Sequence, residues 1–356
     1  MCLRPDAITS IVDDLRAAAK APRNPSHISR TLMILLYTVK ELSTGRLQRT
    51  KAHLQSATPE ILQVLGGIYV DRYHKWRTFL REGGNDEGGA LESIEQSLLG
   101  LRVLRRLLIA GYDFPNRHTE MQEFWKILTT QLGDMLWLIM HEASLLANVK
   151  HLIEQHLVQI AKFHLEMVRN HPAGYALLPS STDLARAYWG LIVQFGETFG
   201  SQTPLPSATI SSGGNADEED MPVMEKIALK GLLLLRACTK MVFSPQQTFK
   251  YQYAEDKEEK KLSTELIRND LLTENFVRGM METLVTRFFV FRPRDLRDWE
   301  EEPEEWERRE EGEGEFWEFS IRSCSEKLFL DLVINYKDLL VQPLLQVFQS
   351  VASKFK

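Results

Sequence analysis

An all-α chain of stacked helix pairs is what this sequence predicts, and three observations predict it. Apolar residues recur at alternating steps of four and three through much of the chain, which puts them on one face of a helix. No stretch shows sustained period-two alternation, so no strand is expected. The breaks between periodic segments are mostly short and polar, and they return at a fairly regular interval.

The elements follow in order. Ile28, Leu32, Leu35, Val39 and Leu42 form the first clear stripe. Glu82 to Gly89 is rich in glycine and carboxylates and reads as a turn or loop. Leu91, Ile94, Leu98, Leu101, Leu104 and Leu108 form the next stripe, with Arg102, Arg105 and Arg106 between them. Gly111 is read as its cap, because glycine tolerates left-handed angles. Tyr112 to Asn116 is a second break. Ile153, Leu157, Ile160, Phe163 and Met167 make a helix ended by Asn170-His171-Pro172. Leu178-Pro179-Ser180-Ser181 separates two more helices, and 200–220 is a longer Ser/Pro/Gly-rich stretch ending in Asp217, Glu218, Glu219 and Asp220. Val277, Met281, Leu284 and Phe288 form a further stripe, and Leu328 and Leu332 lead toward a last helix near Leu339 to Val351.

Paired in this way, helices recur about every 40–50 residues, the period of HEAT-type repeats. One such pair cannot cover its own apolar face, and stacking neighbours buries it. The expectation is an α-solenoid of HEAT-type helix pairs, an ARM/HEAT superhelix, as a single array over residues 1–356 with flexible loops at 200–220 and 293–316. Periodicity alone also fits a compact many-helix domain, since the pairs share no visible sequence identity.

Composition narrows the function. The formal net charge is -6. A protein that neutralises nucleic-acid phosphates carries a basic surplus or block, so no nucleic-acid partner is expected. The longest apolar runs fall far short of the roughly 20 residues of a membrane span, so no membrane insertion is expected. The three cysteines, Cys2, Cys238 and Cys324, are widely separated, and no C-x-x-C occurs, which argues against a zinc ribbon or a disulfide framework.

The chemistry-bearing motifs are missing. There is no phosphate-cradling glycine loop and no G-x-S-x-G elbow. His141-Glu142 opens like a zinc-protease motif, but Leu145 stands where the second ligand belongs. His151, His156 and His164 share one helix at spacings unsuited to a common metal, and are read as solvent-facing or locally satisfied. Trp76, Trp125, Trp137 and Trp189 fall within helical stretches and are read first as core. No catalytic, cofactor or metal residue is assigned, and no enzyme is expected.

The most informative stretch runs from Phe288 to Leu332. Pro293 ends an aromatic helix terminus, and Trp299 is followed by Glu300, Glu301, Glu302, Pro303, Glu304, Glu305 and Trp306. The run stays acidic through Glu310 and Glu311 to Glu315, then Trp317 precedes Arg322, Cys324 and Glu326 at the start of a new helix. Such a density of carboxylates repels itself, so a solvated loop anchored by Trp299 and Trp317 is expected. Arg322 and Glu326 are spaced to pair on the helix surface, and Cys324 suits a small buried site.

This stretch resembles the importin-beta (karyopherin-beta) superfamily, most closely its importin-eleven type. The matching positions are Leu296, Trp299, Glu302-Pro303-Glu304, Trp317, Arg322, Cys324 and Glu326, with Ser323 where the family has proline. A second likeness lies in Ser97 to Leu107, followed by Gly111-Tyr112. The resemblance implies a stacked HEAT superhelix in a nuclear transport receptor. It implies binding to import cargo, to the small GTPase Ran in its GTP form and to phenylalanine-glycine nucleoporins, and residence in cytoplasm, nucleus and nuclear pore. It also implies an internal segment, without the N-terminal repeats that hold the main Ran contact and without the C-terminal repeats. The candidate partner-binding residues are Asp217, Glu218, Glu219 and Asp220 with Glu300, Glu301, Glu302, Glu304, Glu305, Glu310 and Glu311, expected to attract basic cargo surfaces, a plain solvated loop being the other reading of both runs. A helical-repeat scaffold with no transport role would share the fold and the acidic loops and stands as the alternative.

Overall fold

The structure is a computed structural model that describes residues 6–20, 25–44, 48–82, 87–141, 146–200, 221–249, 254–311 and 316–353. Helices carry nearly all of these residues, and no strand occurs among them. The contacts divide the chain into two units, Met1–Gly174 and Tyr175–Lys356.

The first unit holds α1 (Asp6–Lys20), α2 (Pro25–Thr44), α3 (Gln48–Glu82), α4 (Glu87–Gly111), α5 (Thr119–His141) and α6 (Ala147–Asn170). Helix α4 lies against α2, α3 and α6. Its sequence explains that position. Leu98, Leu101, Val103, Leu104, Leu107 and Leu108 are all buried, so apolar residues occupy most of its circumference, and a helix apolar nearly all round belongs inside. The predicted stripe of α2, from Ile28 to Leu42, is buried throughout, while its other face exposes Met33, Ile34 and Tyr37.

Two details correct the sequence reading. Gly111 does end α4, but its backbone is not left-handed. A Cβ there would lie 2.0 Å from Thr58 Oγ1 of α3, so the glycine serves a close helix–helix approach. The expected loop at Glu82–Gly89 is shorter than read. Helix α3 runs to Glu82 and α4 already includes Gly88 and Gly89, with 83–86 outside the described residues.

Helices α3 and α5 are also joined by polar groups. Arg77 makes two bonds to Asp134, both 2.8 Å, and Tyr73 donates to the same carboxylate. Tyr69 donates to Gln131 in the buried part of this seam. The Arg77 bonds are the main reason the Asp134 carboxyl is held below its usual range.

The second unit holds α7 (Ser181–Phe199), α8 (Val223–Phe243), α9 (Ala254–Leu266), α10 (Glu274–Thr283), α11 (Pro293–Glu301), α12 (Pro303–Glu311), α13 (Ile321–Asn335) and α14 (Lys337–Ser353). Helix α8 is interior, buried from Ile227 through Leu235 and again at Met241 and Val242, and packs against α7 and α13. Gly231 lets it approach α7, since a Cβ there would stand 3.1 Å from Ile192. Helices α9 and α10 each end in a π-helical turn, Ile267–Leu271 and Leu284–Phe288. The predicted stripe Val277, Met281, Leu284 and Phe288 is fully buried and continues through the second of these turns.

The expected flexible loop at 293–316 is replaced by two short helices as far as residue 311, with 312–315 outside the described residues. Two prolines, each at the first position of a helix, explain the difference: Pro293 and Pro303 pre-set the helical φ, and acidic residues in a first turn suit the positive end of the helix dipole. The expected loop at 200–220 lies outside the described residues apart from Gly200, as do the side chains of Asp217, Glu218, Glu219 and Asp220.

Candidate functional site

Helices α11 and α12 form an acidic pair most of whose described glutamates face water. Glu300, Glu301, Glu302, Glu304, Glu305 and Glu307 are all exposed, as is Pro303 between the helices. Glu310 and Glu311 lie on the last turn of α12, and their side chains are outside the described residues. Beside the carboxylates, α11 exposes Leu296 and Trp299.

The pair is held by two arginines. Arg292 precedes α11, and its backbone N–H donates to Asp295 Oδ2 at 2.9 Å, which satisfies one of the orphan donors at the helix start. Its guanidinium reaches Glu225 at the start of α8, with Nη1 3.0 Å from Oε1, and lies 4.7 Å from the ring centre of Phe199. Burial alone would lower the Arg292 pKa, but Glu225 and Asp295 outweigh that and raise it, so the cation is held firmly charged. Arg322, on α13, is the second clamp. Its guanidinium sits 4.6 Å from the Phe291 ring and 5.2 Å from the Trp306 ring, and Nη1 is 3.9 Å from Asp295. Phe291 and Trp306 are themselves 5.8 Å apart. One arginine thus links the chain before α11, the middle of α12 and the first turn of α13.

The motif residues fall into place unequally. Cys324 is buried as read, and its thiol donates to the Trp317 carbonyl at 3.2 Å. Trp317 is half-buried beneath Arg236, which is 4.4 Å from the ring centre and paired with Asp331 at 2.7 Å. Trp299 is not an anchor: it is 52% exposed, and Trp306 takes that role. Arg322 is not a surface residue but is buried against aromatics, while Glu326 is half-buried on the same helix. Sequence reading missed Arg292, Glu225 and Phe199. The available signal was Arg292-Pro293 followed by Asp295, a helix-start pattern with an acid at the third helical position.

The other singled-out residues are mostly structural. Trp76, Trp125 and Trp189 are core, whereas Trp137 is half exposed and stacked on His141 at 5.1 Å. His156 is buried between Ser97 Oγ, 2.9 Å from Nε2, and the Leu152 carbonyl, 3.0 Å from Nδ1. His164 is buried against Trp125, and His151 is exposed beside Gln155. Burial pushes His156 down to about 4 and His164 to about 3, so both are neutral packing groups at neutral pH. Among the described residues no group of three or more His, Cys, Asp or Glu is placed to hold a metal ion, and no helix is long and apolar enough to cross a membrane. An exposed ridge of carboxylates is suited to reversible contact with a cationic surface.

No family model matches the chain. Importin beta-like protein KAP120 of Saccharomyces cerevisiae is 28% identical over 332 residues, which is 92% of this chain and 29% of that protein. Human Importin-11 is 24% identical over 329 residues, 90% of this chain and 30% of its own length. Among solved structures, Lph2, described as a bidirectional nuclear transport receptor of S. cerevisiae, matches the fold with a TM-score of 0.78 at 24% identity, over 97% of this chain and 31% of that one. The chain therefore spans just under a third of the length of the curated relatives it matches. Along nine-tenths of its residues the sequence is similar to importin beta-like protein KAP120 and Importin-11, and its all-helical repeat fold is shared with Lph2 over nearly the whole chain.

Proposed function

We propose that the chain works as part of a nuclear transport receptor that binds other proteins and performs no catalysis. The observation that carries this reading is the similarity to importin beta-like relatives along nine-tenths of the chain. The clamped acidic pair α11–α12 supports it. In this reading, Glu300, Glu301, Glu302, Glu304 and Glu305, with Glu310 and Glu311, attract import cargo with basic surfaces. The Asp217 to Asp220 run is the second acidic group proposed to attract such surfaces. Each exposed ion pair contributes only about 0–1 kcal/mol, so affinity rests on several contacts made together and weakens with salt. Two arginine clamps raise the value of each contact, because carboxylates on an ordered helix pair lose less freedom on binding than those on a loose segment. Ran in its GTP form and phenylalanine-glycine nucleoporins are the other proposed partners, and cytoplasm, nucleus and nuclear pore the proposed locations.

The test is a pull-down with this chain and with a full-length relative that carries the corresponding segment, against GTP-loaded Ran, GDP-loaded Ran and nucleoporin repeats. Selective retention of GTP-loaded Ran and of the repeats by the longer protein supports the transport reading. Retention of neither by either protein removes it in favour of a helical-repeat scaffold without transport function.

A further inference from the structure

The second unit also carries a surface of the opposite sign. An open cleft of about 410 Å³ lies where the end of α8, the single turn Pro245–Thr248 and helix α9 meet. Its apolar wall is Val242, Pro245 and Phe249, of which Val242 and Phe249 are buried. Its polar wall is one face of α9 and the turn that follows. Lys260, Lys261, Thr264, Glu265 and Arg268 recur at helical spacing and all line the cleft. Among the lining residues Lys260, Lys261 and Arg268 stand against Glu265, with Asp256 also close enough to act on Lys260. Arg268 sits on the π-helical turn Ile267–Leu271, where Leu272 N–H bonds back to Ile267 O at 2.9 Å. A widened turn of this kind re-aims the side chains it carries and recurs at functional sites. Lys260 Nζ lies 5.0 Å from the Phe249 ring centre, so the cation and the apolar wall are within reach of one ligand residue and its neighbour. Partial desolvation lowers the Lys260 pKa, and the nearby Asp256 opposes that shift.

We infer that this cleft binds an acidic peptide segment of a partner protein, with one aromatic or large aliphatic side chain seated on Val242 and Phe249 and flanking carboxylates on Lys260, Lys261 and Arg268. The proposal is independent of the acidic pair α11–α12, which has the opposite sign and would take basic partners. Apolar burial supplies the anchor, and the cations supply orientation and selection against basic segments.

The probe is a fluorescein-labelled peptide, Glu-Asp-Glu-Phe-Glu-Asp-Glu, titrated into the intact chain and followed by fluorescence anisotropy. Saturable binding is expected, and Lys260→Glu with Arg268→Glu should weaken it by at least about tenfold. Replacing the peptide's Phe by Ala should weaken it by a similar factor, about tenfold, through lost apolar burial. The milder pair Lys261→Gln and Arg268→Gln gives a second variant at exposed positions, with thermal unfolding to show that the fold is kept. No saturation at millimolar peptide overturns the proposal. So does binding unaffected by the charge reversals, or equal binding of the Phe and Ala peptides and of inorganic polyphosphate, which would mark an unselective anion patch.

Discussion

Arg292 and Arg322 show how much one side chain can hold in this molecule. Arg292 joins α8 to α11 through Glu225, and its removal would leave the buried Glu225 carboxylate without that partner. Breaking a buried pair by deleting one member costs about 3 kcal/mol or more, so Arg292→Met should lower the denaturant midpoint clearly. The double variant Arg292→Met with Glu225→Gln should recover part of the loss, because no buried charge remains. A second residue-scale prediction concerns Gly111. An alanine there must push against Thr58, and overpacking of this kind costs about 1–3 kcal/mol. Thr58→Ala should partly rescue it by removing the hydroxyl and methyl groups that the new Cβ meets first. Neither residue's role was legible beforehand. Gly111 was legible as a helix end, but the neighbour that demands glycine comes from a segment more than fifty positions earlier. Cys324 was legible, since a small apolar residue within a helix start has few other uses.

At the scale of elements, helix α6 carries a pH dependence. His156 has a folded pKa of about 4 against an ordinary value near 6.5, so the unfolded chain binds the extra proton across that interval. Stability from this group is complete above about pH 6.5 and is lost as pH falls toward 4, on the order of 3 kcal/mol in all. His164 acts in the same direction. Denaturant titrations between those pH values should show this slope, and His156→Gln, which keeps a hydrogen-bonding side chain but does not titrate, should flatten it. Helix α12 gives a different prediction. Trp306 is its aromatic contact with Arg322 and Phe291, and its remaining described side chains are exposed. Trp306→Ala should speed hydrogen exchange across residues 303–311 while leaving the exchange of α8 unchanged. Equal protection of α12 in both proteins would show that the helix is held by something else. The contrast between α2 and α12 explains what could be read at this scale. The α2 stripe is a property of α2 alone, since its apolar spacing sets the face to be buried whatever covers it. The acidic stretch looks like a loop from its own residues because its carboxylates repel, whereas Pro293 and Pro303 start helices and a distant arginine, Arg322, clamps them.

For the whole molecule, the all-helical class and the long interior helices were legible because period and length are local properties. The way α4 is enclosed by α2, α3 and α6, and α8 by α7 and α13, was not, because partner choice depends on shape at glycines such as Gly111 and Gly231. In the proposed function the second unit presents the acidic pair α11–α12 as the principal binding surface. The most direct test is calorimetric titration of the chain with a lysine- and arginine-rich cargo segment at two salt concentrations. A parallel series uses the variant in which Glu300, Glu301, Glu302, Glu304 and Glu305 are replaced by glutamine. The account predicts saturable binding that weakens as salt rises and falls about tenfold or more in the glutamine variant, with unchanged thermal unfolding. Equal affinity for the two proteins, or no binding at low salt, would contradict it.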